Sequence, residues 1–459
     1  MSFSTDIFIF VLFPIVLLAY ILGKNIKTRN LILLVVSLIF YSWGGIQYSI
    51  FLLISLAINY VLGIYVKGKK LLLFFAVIYN IGMLAVFKYA GFFCDILNNS
   101  LTMCGLEISV ASPNIVQPIG ISFFTFSILS YMVDVYYGKT DAQRNIFDFG
   151  LYVTMFPKIV SGPIVRYTDI ENEFNDRRFD IDQLYTGLRR FCIGFSKKIL
   201  LANHMAKMAD TIFGYEWALH PVYAWLGAFS YALNIYLDFS AYSDMAIGIA
   251  HIFGFHFKEN FNYPYISTSI QEFWRRWHIS LSSWFRDYVY IPLGGNRKGR
   301  GRTYVNQLIV FFLTGLWHGA SWNFIIWGLY HGFFLTVEKM TSFCTKIPRW
   351  ISYAYSMIII IIGWVFFRAN DMEGALKYIG YMFGINGGPL GNLTVYKCIT
   401  PQYLVVLFFS IIISMPLGMK VVACIKQKWI RDVCILAIFF VAICYMVAGD
   451  YNPFIYARF

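Results

Sequence analysis

Seven histidines are the side chains in this sequence best suited to moving a proton near neutral pH, and their surroundings separate them. His318 lies in TGLWHGASWNFIIWGLYHG, directly after the apolar run Gln307–Trp317. There Gly315 and Gly319 permit close backbone approach, and Trp317 and Trp322 supply rigid walls. An ionisable side chain at membrane depth is costly, and its default reading is a function in a cavity. A core histidine bonded to a neighbouring carbonyl is the competing reading. His331 follows thirteen residues later with the same trailing glycine, and for it the two readings stand level. His278 lies in QEFWRRWHISLSSWFRDYVYIPLGGNRKGRGR, within an aromatic face. His204 and His220 stand near expected helix ends and read as interfacial caps. His251 and His256 are five apart, which on a helix puts them on different faces and argues against joint metal binding.

Other chemistries lack their residues. The sequence has no GxSxG elbow, no HExxH and no glycine-rich loop ending in Gly-Lys-Ser or Gly-Lys-Thr, so serine hydrolase, zincin and nucleotide-hydrolysing readings fall away. A transporter would also carry ionisable residues in its spans, and Lys88, Asp238 and Asp244 would serve one. No pair of similar halves is visible, although transporter symmetry is often weak.

The elements that must hold these side chains are membrane helices. Of 459 residues 59% are hydrophobic and only 13% charged, about half the usual charged share, which excludes a water-soluble globular fold. Runs such as Ile7–Gly23, Ile46–Val66 and Leu71–Phe93 are apolar on every side, unlike barrel strands, and long enough to cross a bilayer. The expected spans are 6–23, 30–44, 46–66, 71–93, 117–137, 219–237, 239–256, 303–318, 322–338, 350–367, 402–418 and 432–449. Residues 6–23 lack the basic lead and cleavage site of a signal peptide and read as a retained span.

The net charge of +13 reports orientation before it reports nucleic acid. Lys24, Lys27 and Arg29, then Lys67, Lys69 and Lys70, and the chain from Lys139 onward fall on the cytoplasmic side. The N-terminus and the last residues, Tyr451–Phe459, then face outward. The cysteines show no CxxC pattern and read as small hydrophobes; Cys94 and Cys104 flank an outer segment and are expected as thiols, a disulfide being the alternative.

Two stretches depart from simple spans. Residues 147–166 are apolar but broken by Pro157, Gly162 and Pro163, which predicts a re-entrant or broken helix buried in protein or lining a cavity. In residues 258–302, Phe273, Trp277, Leu281 and Trp284 with Phe285 share one face at helical spacing, an amphipathic arrangement suited to an interfacial helix, with a flexible basic turn after Pro292. The whole chain, 1–459, reads as one membrane domain: N-terminal spans over 1–137, a core with the motifs over 138–340, and C-terminal spans over 341–459.

Four segments carry a family likeness: PKIVSGPIVRY (157–167), DFSAYSDMAIGIAHIFGF (238–255), ENFNYPYISTSIQEFWRRWHISLSSWFRDYVYIPLGGN (259–296) and GLWHGASWNFIIWGLYHG (315–332). Together they resemble the membrane-bound O-acyltransferase family, and within it the bacterial branch serving alginate and peptidoglycan O-acetylation and teichoic acid D-alanylation. The likeness runs from FSTDIFIFVLFP to NPFIY, nearly the whole chain. It implies an all-α body of about 10–13 transmembrane helices, with re-entrant and interfacial helices around a central funnel or tunnel. It also implies a thioester donor arriving from the cytoplasm and an acceptor hydroxyl on the outer side. The family's near-invariant histidine matches His318, its second catalytic position matches His278, and Arg166 and Arg302 fall where residues of consequence are expected.

The chemistry accommodates this. A hydroxyl is a poor nucleophile at neutral pH, and an imidazole that takes its proton would contribute roughly 10²–10⁴-fold. His318 is the expected base, with His278 orienting or polarising the second reactant. Arg275, Arg276, Arg297, Lys298, Arg300 and Arg302 would attract an anionic donor, acetyl-CoA or an acylated carrier protein. Trp274, Trp277, Trp317 and Trp322 would exclude water that would otherwise hydrolyse the thioester. Asp244, Asn262 and His331 complete the expected substrate-binding set. The donor is a co-substrate, with no metal and no tightly bound cofactor expected. The expected partners are membrane lipid, the cytoplasmic donor, an extracytoplasmic esterase-like protein and a cell-surface polysaccharide, with no nucleic acid, at the cytoplasmic membrane of a bacterium. Acetyl is the expected group, D-alanyl the alternative, and a transporter or flippase without acyl chemistry the reading from another class.

Overall fold

The computed structural model describes residues 2–113, 115–215, 218–390 and 399–449, so the C-terminal Tyr451–Phe459 lies outside the described residues. Among the described residues every regular element is helical. The first half holds α1 (Phe8–Leu22), α2 (Ile26–Ser42), α3 (Ile46–Tyr65), α4 (Lys70–Met103), α5 (Ile121–Tyr136) and α6 (Ile146–Thr154). There follow α7 (181–213), α8 (Pro221–Ile252), the short α9 (Ile270–Arg276) and α10 (Ile279–Phe285), then α11 (Gly299–His318) and α12 (Trp322–Thr341). The chain continues through α13 (Arg349–Arg368), α14 (Met372–Met382), α15 (Pro401–Ile413), α16 (Leu417–Cys424) and α17 (Lys428–Val447).

Four of these, α3, α4, α13 and α17, are long and apolar enough to cross a membrane by themselves, and α1, α5 and α15 are shorter apolar helices. Their outward faces carry bare Phe10, Leu18, Phe74, Phe408 and Phe440, which only lipid would cover. The Lys67–Asp141 pair at 2.8 Å joins two loops that the charge pattern puts on the same, cytoplasmic side.

Three expectations need correction. The windows 219–237 and 239–256 are not two spans but one helix, the 32-residue α8. Asp238, the charge that separates those windows, is fully buried mid-helix, 2.7 Å from Lys198 Nζ, so the helix runs straight through it. The stretch between the expected spans 117–137 and 219–237, to which the sequence assigns no span, contains a long helix: in α7 a π-turn, Lys197–Ala202, joins Ile181–Ser196 to Asn203–Phe213. Its basic residues hid it from hydropathy. They pair with acids of α8, Arg190 with Asp244 at 3.0 Å and Lys197 with Asp244 at 2.5 Å.

The third correction concerns 258–302, where the interfacial helix that the shared face of Phe273, Trp277 and Leu281 suggests is broken in two. α9 ends at Arg276, Trp277 is extended, and His278 adopts a left-handed conformation (φ 43°, ψ 55°) before α10 begins. Helical periodicity is present on both sides of the break, which is why the sequence alone conceals it. Trp277 turns inward against Phe261, Phe273 and Trp364, with ring centroids at 5.1, 5.6 and 4.8 Å, and that burial holds the kink. The stretch 147–166 is a broken helix as predicted: α6 stops before Met155, a single turn Phe156–Ile159 carries Pro157, and the segment is buried almost throughout.

Two large apolar cores lie along α8. Residues Tyr242–Ile252 belong to the core formed with α1–α6, and Tyr223–Phe239 to that formed with α7, α9, α13 and α14. A smaller cluster of Phe123, Phe126, Leu129, Ile164, Leu281, Trp284, Phe285 and Trp317 ties α5 and α10 to the end of α11. α11 and α12 cross with backbones in contact. A Cβ on Gly315 would lie 2.3 Å from the Phe324 carbonyl oxygen, and one on Gly328 2.3 Å from that of Phe311. This crossing fixes the last turn of α11, which ends in His318.

Candidate active site

His318 is the final residue of α11, and Gly319 leaves the helix in an extended conformation (φ −167°, ψ 153°). Its imidazole is buried, with aromatic edges around it: Trp317 at 4.9 Å, Trp327 at 5.0 Å and Phe367 at 5.1 Å between centroids. These come from α11, α12 and α13. The apolar spacing of three helices therefore converges on one polar ring.

His278 approaches from the break between α9 and α10. A non-glycine residue at positive φ costs of order 1–3 kcal/mol and persists only where its surroundings impose it. Its ring, 1% exposed, stands edge-on to Phe239 at 4.7 Å and lies 6.1 Å from Trp317. Both imidazoles thus flank the same indole. His278 Nδ1 is 3.2 Å from Asn260 Oδ1. The Ser280 backbone N–H and hydroxyl donate to that oxygen at 3.2 and 2.9 Å, and Asn260 Nδ2 donates to Ser243 Oγ at 3.2 Å. A backbone N–H only donates, so the Asn260 atom it meets is the oxygen, and His278 Nδ1 must carry the proton in its bond there. The buried Nε2 is then a bare acceptor with no partner among the described residues. It is suited to receiving the hydrogen of a bound hydroxyl.

Asn260→Ala is expected to lower turnover by about 10–100-fold, because the ring loses the bond that fixes its tautomer and orientation. Asn260→Asp, which keeps an acceptor at that point, should retain most of the rate. Initial-rate assays of the two purified variants check this, and equal losses in both would remove Asn260 from that role.

The other expected site residues fall into separate places. Trp317 joins the two rings. Trp274, Trp327 and His331 pack as a mutual cluster, with centroids 5.2 to 5.6 Å apart, and the wholly buried His331 has no hydrogen bond at either ring nitrogen among the described residues. Trp277 holds the kink. Arg276 pairs with Glu272 at 2.9 Å and donates to the Asn262 carbonyl at 3.0 Å, while the Asn262 side chain is exposed. Asp244 is held by Arg190 and Lys197. Trp322 is largely exposed, against Phe92 at 5.7 Å. Arg302 stands exposed on the first turn of α11, about 24 Å along the helix axis from His318.

Arg166 pairs with Asp287 at 2.7 Å and lies over the Tyr288 ring, and Tyr288 donates to Asp134 at 2.6 Å, next to Lys139. Burial would raise the Asp287 carboxyl, but its bonds to Arg286 and Arg166 hold it below the usual carboxylate range. This ionic cluster joins the end of α5 to the segment that follows α10.

Sequence reasoning missed Asn260, Ser280 and Tyr89, and marked Lys88 only as an ionisable span residue that would serve a transporter. The ENFNYPY run pointed to the right segment, but nothing in it ranks Asn260 above Asn262. The other histidines behave as follows. His220 caps α8 by accepting from Val222 N at 3.3 Å, as expected. His204 lies instead beside Gln402 Nε2, at 3.2 Å. α8 ends before His256, so His251 and His256 do meet, with rings 5.0 Å apart, which corrects the different-faces argument. Among the described residues no group of three or more potential ligands could hold a metal. Cys94 and Cys104 are free thiols.

Comparison with known proteins places these observations. The sequence model of MBOAT, the membrane-bound O-acyltransferase family, matches residues 139–372, the stretch containing both imidazoles, Asn260 and the broken segments. The chain is 39% identical over 491 residues to the probable alginate O-acetylase AlgI of Pseudomonas putida, covering 100% of both chains. It is 34% identical over 434 residues to the peptidoglycan O-acetyltransferase of Helicobacter pylori, covering 85% of this chain and 81% of that one. With the teichoic acid D-alanyltransferase of Bacillus subtilis it shares 31% identity over 264 residues, 54% of this chain and 66% of the other. A match over half the chain and another from end to end, on a helical membrane body with the two imidazoles brought together, make this protein an O-acyltransferase that belongs to the membrane-bound O-acyltransferase family.

Proposed function

We propose that the protein moves an acetyl group from a cytoplasmic thioester, acetyl-CoA or an acetylated carrier protein, to a hydroxyl of a cell-surface polysaccharide outside a bacterial cytoplasmic membrane. The observation that carries this reading is the pair of buried imidazoles that both pack against Trp317. In the reaction the acceptor oxygen attacks the thioester carbonyl while His318 takes its proton. The tetrahedral intermediate expels the thiolate, and the imidazolium returns the proton to sulfur. His278, against the same indole, orients or polarises the second reactant. The aromatic rings keep water from the thioester. Both imidazoles are buried, so the two substrates enter by displacing side chains around them.

The exposed basic run Arg297, Lys298, Arg300 and Arg302 at the start of α11 receives the anionic donor. The helix that begins there ends in the base. Acetyl is preferred to D-alanyl because the O-acetylase relatives cover 85–100% of this chain and the D-alanyltransferases about half. An extracytoplasmic esterase-like protein completes delivery to the polymer.

Proteoliposomes loaded with acetyl-labelled thioester test this. The expected result is label on external oligosaccharide, with one free thiol released inside for each acetyl transferred. Intact donor emerging without thiol release would instead support a transporter, and transfer from a D-alanyl thioester alone would reassign the group.

A further inference from the structure

We propose that Lys88, together with Tyr89, is a positioning residue for His318 that acts by clamping the end of α11. The inference rests on the reading of His318 as the base. Lys88 lies well inside α4, a helix long and apolar enough to span the membrane, where an ammonium is expensive and asks for a partner. Among the described ion pairs none involves it, so no carboxylate balances this charge. Its partners are instead oxygens at the end of another helix. Lys88 Nζ donates to the Trp317 carbonyl, lies 3.4 Å from that of His318 and 3.5 Å from Ser122 Oγ. Beside it the Tyr89 hydroxyl donates to the Leu316 carbonyl at 2.8 Å.

The last carbonyls of a helix have no partner within it, and together they carry roughly half a negative charge. In water the solvent satisfies them; within a bilayer the protein must. α11 stops at His318 because Gly319 turns away, which leaves the carbonyls of residues 316 to 318 facing α4. A local irregularity lets α4 answer. Residues Ala85–Tyr89 form a π-turn, an insertion frequent at functional sites in helices, and it brings the neighbouring residues 88 and 89 to bear on the same helix end. The carbonyl of His318 and the two before it are thereby tied to a different helix from the one that carries the ring. The clamp thus acts on the backbone of His318 and not on its imidazole.

The test uses the purified full-length protein, with turnover and donor KM measured for Lys88→Met, Lys88→Arg, Tyr89→Phe and His318→Ala. Lys88→Met is expected to lower kcat at least 100-fold while leaving the donor KM within threefold, and Lys88→Arg, which keeps charge and donors, to recover to within tenfold of the parent. A general packing role would move KM and thermal unfolding together and would not be rescued by arginine; that pattern overturns the proposal, as does a folded Lys88→Met with kcat within threefold of the parent. Should Lys88→Met fail to insert, Tyr89→Phe carries the test, since it removes one bond of the clamp and no charge. A tenfold loss of kcat supports the clamp, and an unchanged kcat overturns it. His318→Ala separates the two readings. If it is active, His318 is not the base. If it is inactive while the Lys88 and Tyr89 variants are unimpaired, the clamp alone is lost.

Discussion

His318→Ala should abolish acyl transfer, with turnover reduced at least 10³-fold, in a protein that still inserts and still binds its donor. A positioned general base contributes about 10²–10⁴-fold, and here the ring also helps to orient the hydroxyl, whose placement carries further rate. Two consequences of the substitution must be told apart. The imidazole fills space between Trp317, Trp327 and Phe367, so alanine also opens a cavity, at a cost of roughly 2–4 kcal/mol by analogy with large-to-small changes in cores. His318→Gln fills more of that space and lacks a base of comparable strength. Both variants should therefore be inactive, and the glutamine form should unfold at nearly the parental temperature. Thiol release from the donor, donor binding and thermal unfolding in detergent measure the three quantities separately. Transfer surviving in the glutamine variant would take the proton-accepting role away from His318.

How far the site was legible in the sequence follows from the range of each interaction. His318 announces itself because its costly ring sits between glycines and tryptophans within a few residues, all of it local. The helices around it are equally local, since apolar length and periodicity are properties of a short window. What the sequence hid is what depends on distant partners. The break at Trp277 and His278 is invisible because the helical period continues on both sides, and what bends the chain is an indole finding Trp364 across the fold. Asn260 differs from Asn262 only in facing His278, and Lys88 from other span lysines only in reaching the end of α11. α7 was missed because its lysines and arginines read as solvent-facing until the acids of α8 are placed beside them. Charges that cancel across helices look polar one helix at a time.

The same cancellation gives the second large prediction. Lys198 and Asp238 face one another at 2.7 Å with side chains 3% and 0% exposed, at the middle of α7 and α8. Replacing Asp238 with Asn keeps the shape and removes the charge that balances Lys198. Breaking a buried pair from one side costs about 3–5 kcal/mol, because the remaining ion keeps its desolvation penalty without compensation. That is a large fraction of the 5–15 kcal/mol that ordinarily separates folded from unfolded protein. Asp238→Asn is therefore expected to lower the unfolding temperature in detergent by roughly 5 °C or more and to cut the yield of inserted protein. Removing both charges, with Lys198→Met and Asp238→Leu together, should restore most of the loss, since replacing a buried pair by apolar groups is often neutral or stabilising. The double variant also separates the two functional classes that the sequence left open. In a transporter an ionisable pair inside the spans lies on the transport path, and its removal would silence a well-folded protein. In an acyltransferase whose chemistry rests on His318 and His278 the pair only holds α7 to α8, and the apolar double variant keeps its acyl transfer. A double variant that folds like the parent and has lost transfer would place Asp238 in the reaction, beside Phe239 and the His278 ring that Phe239 supports.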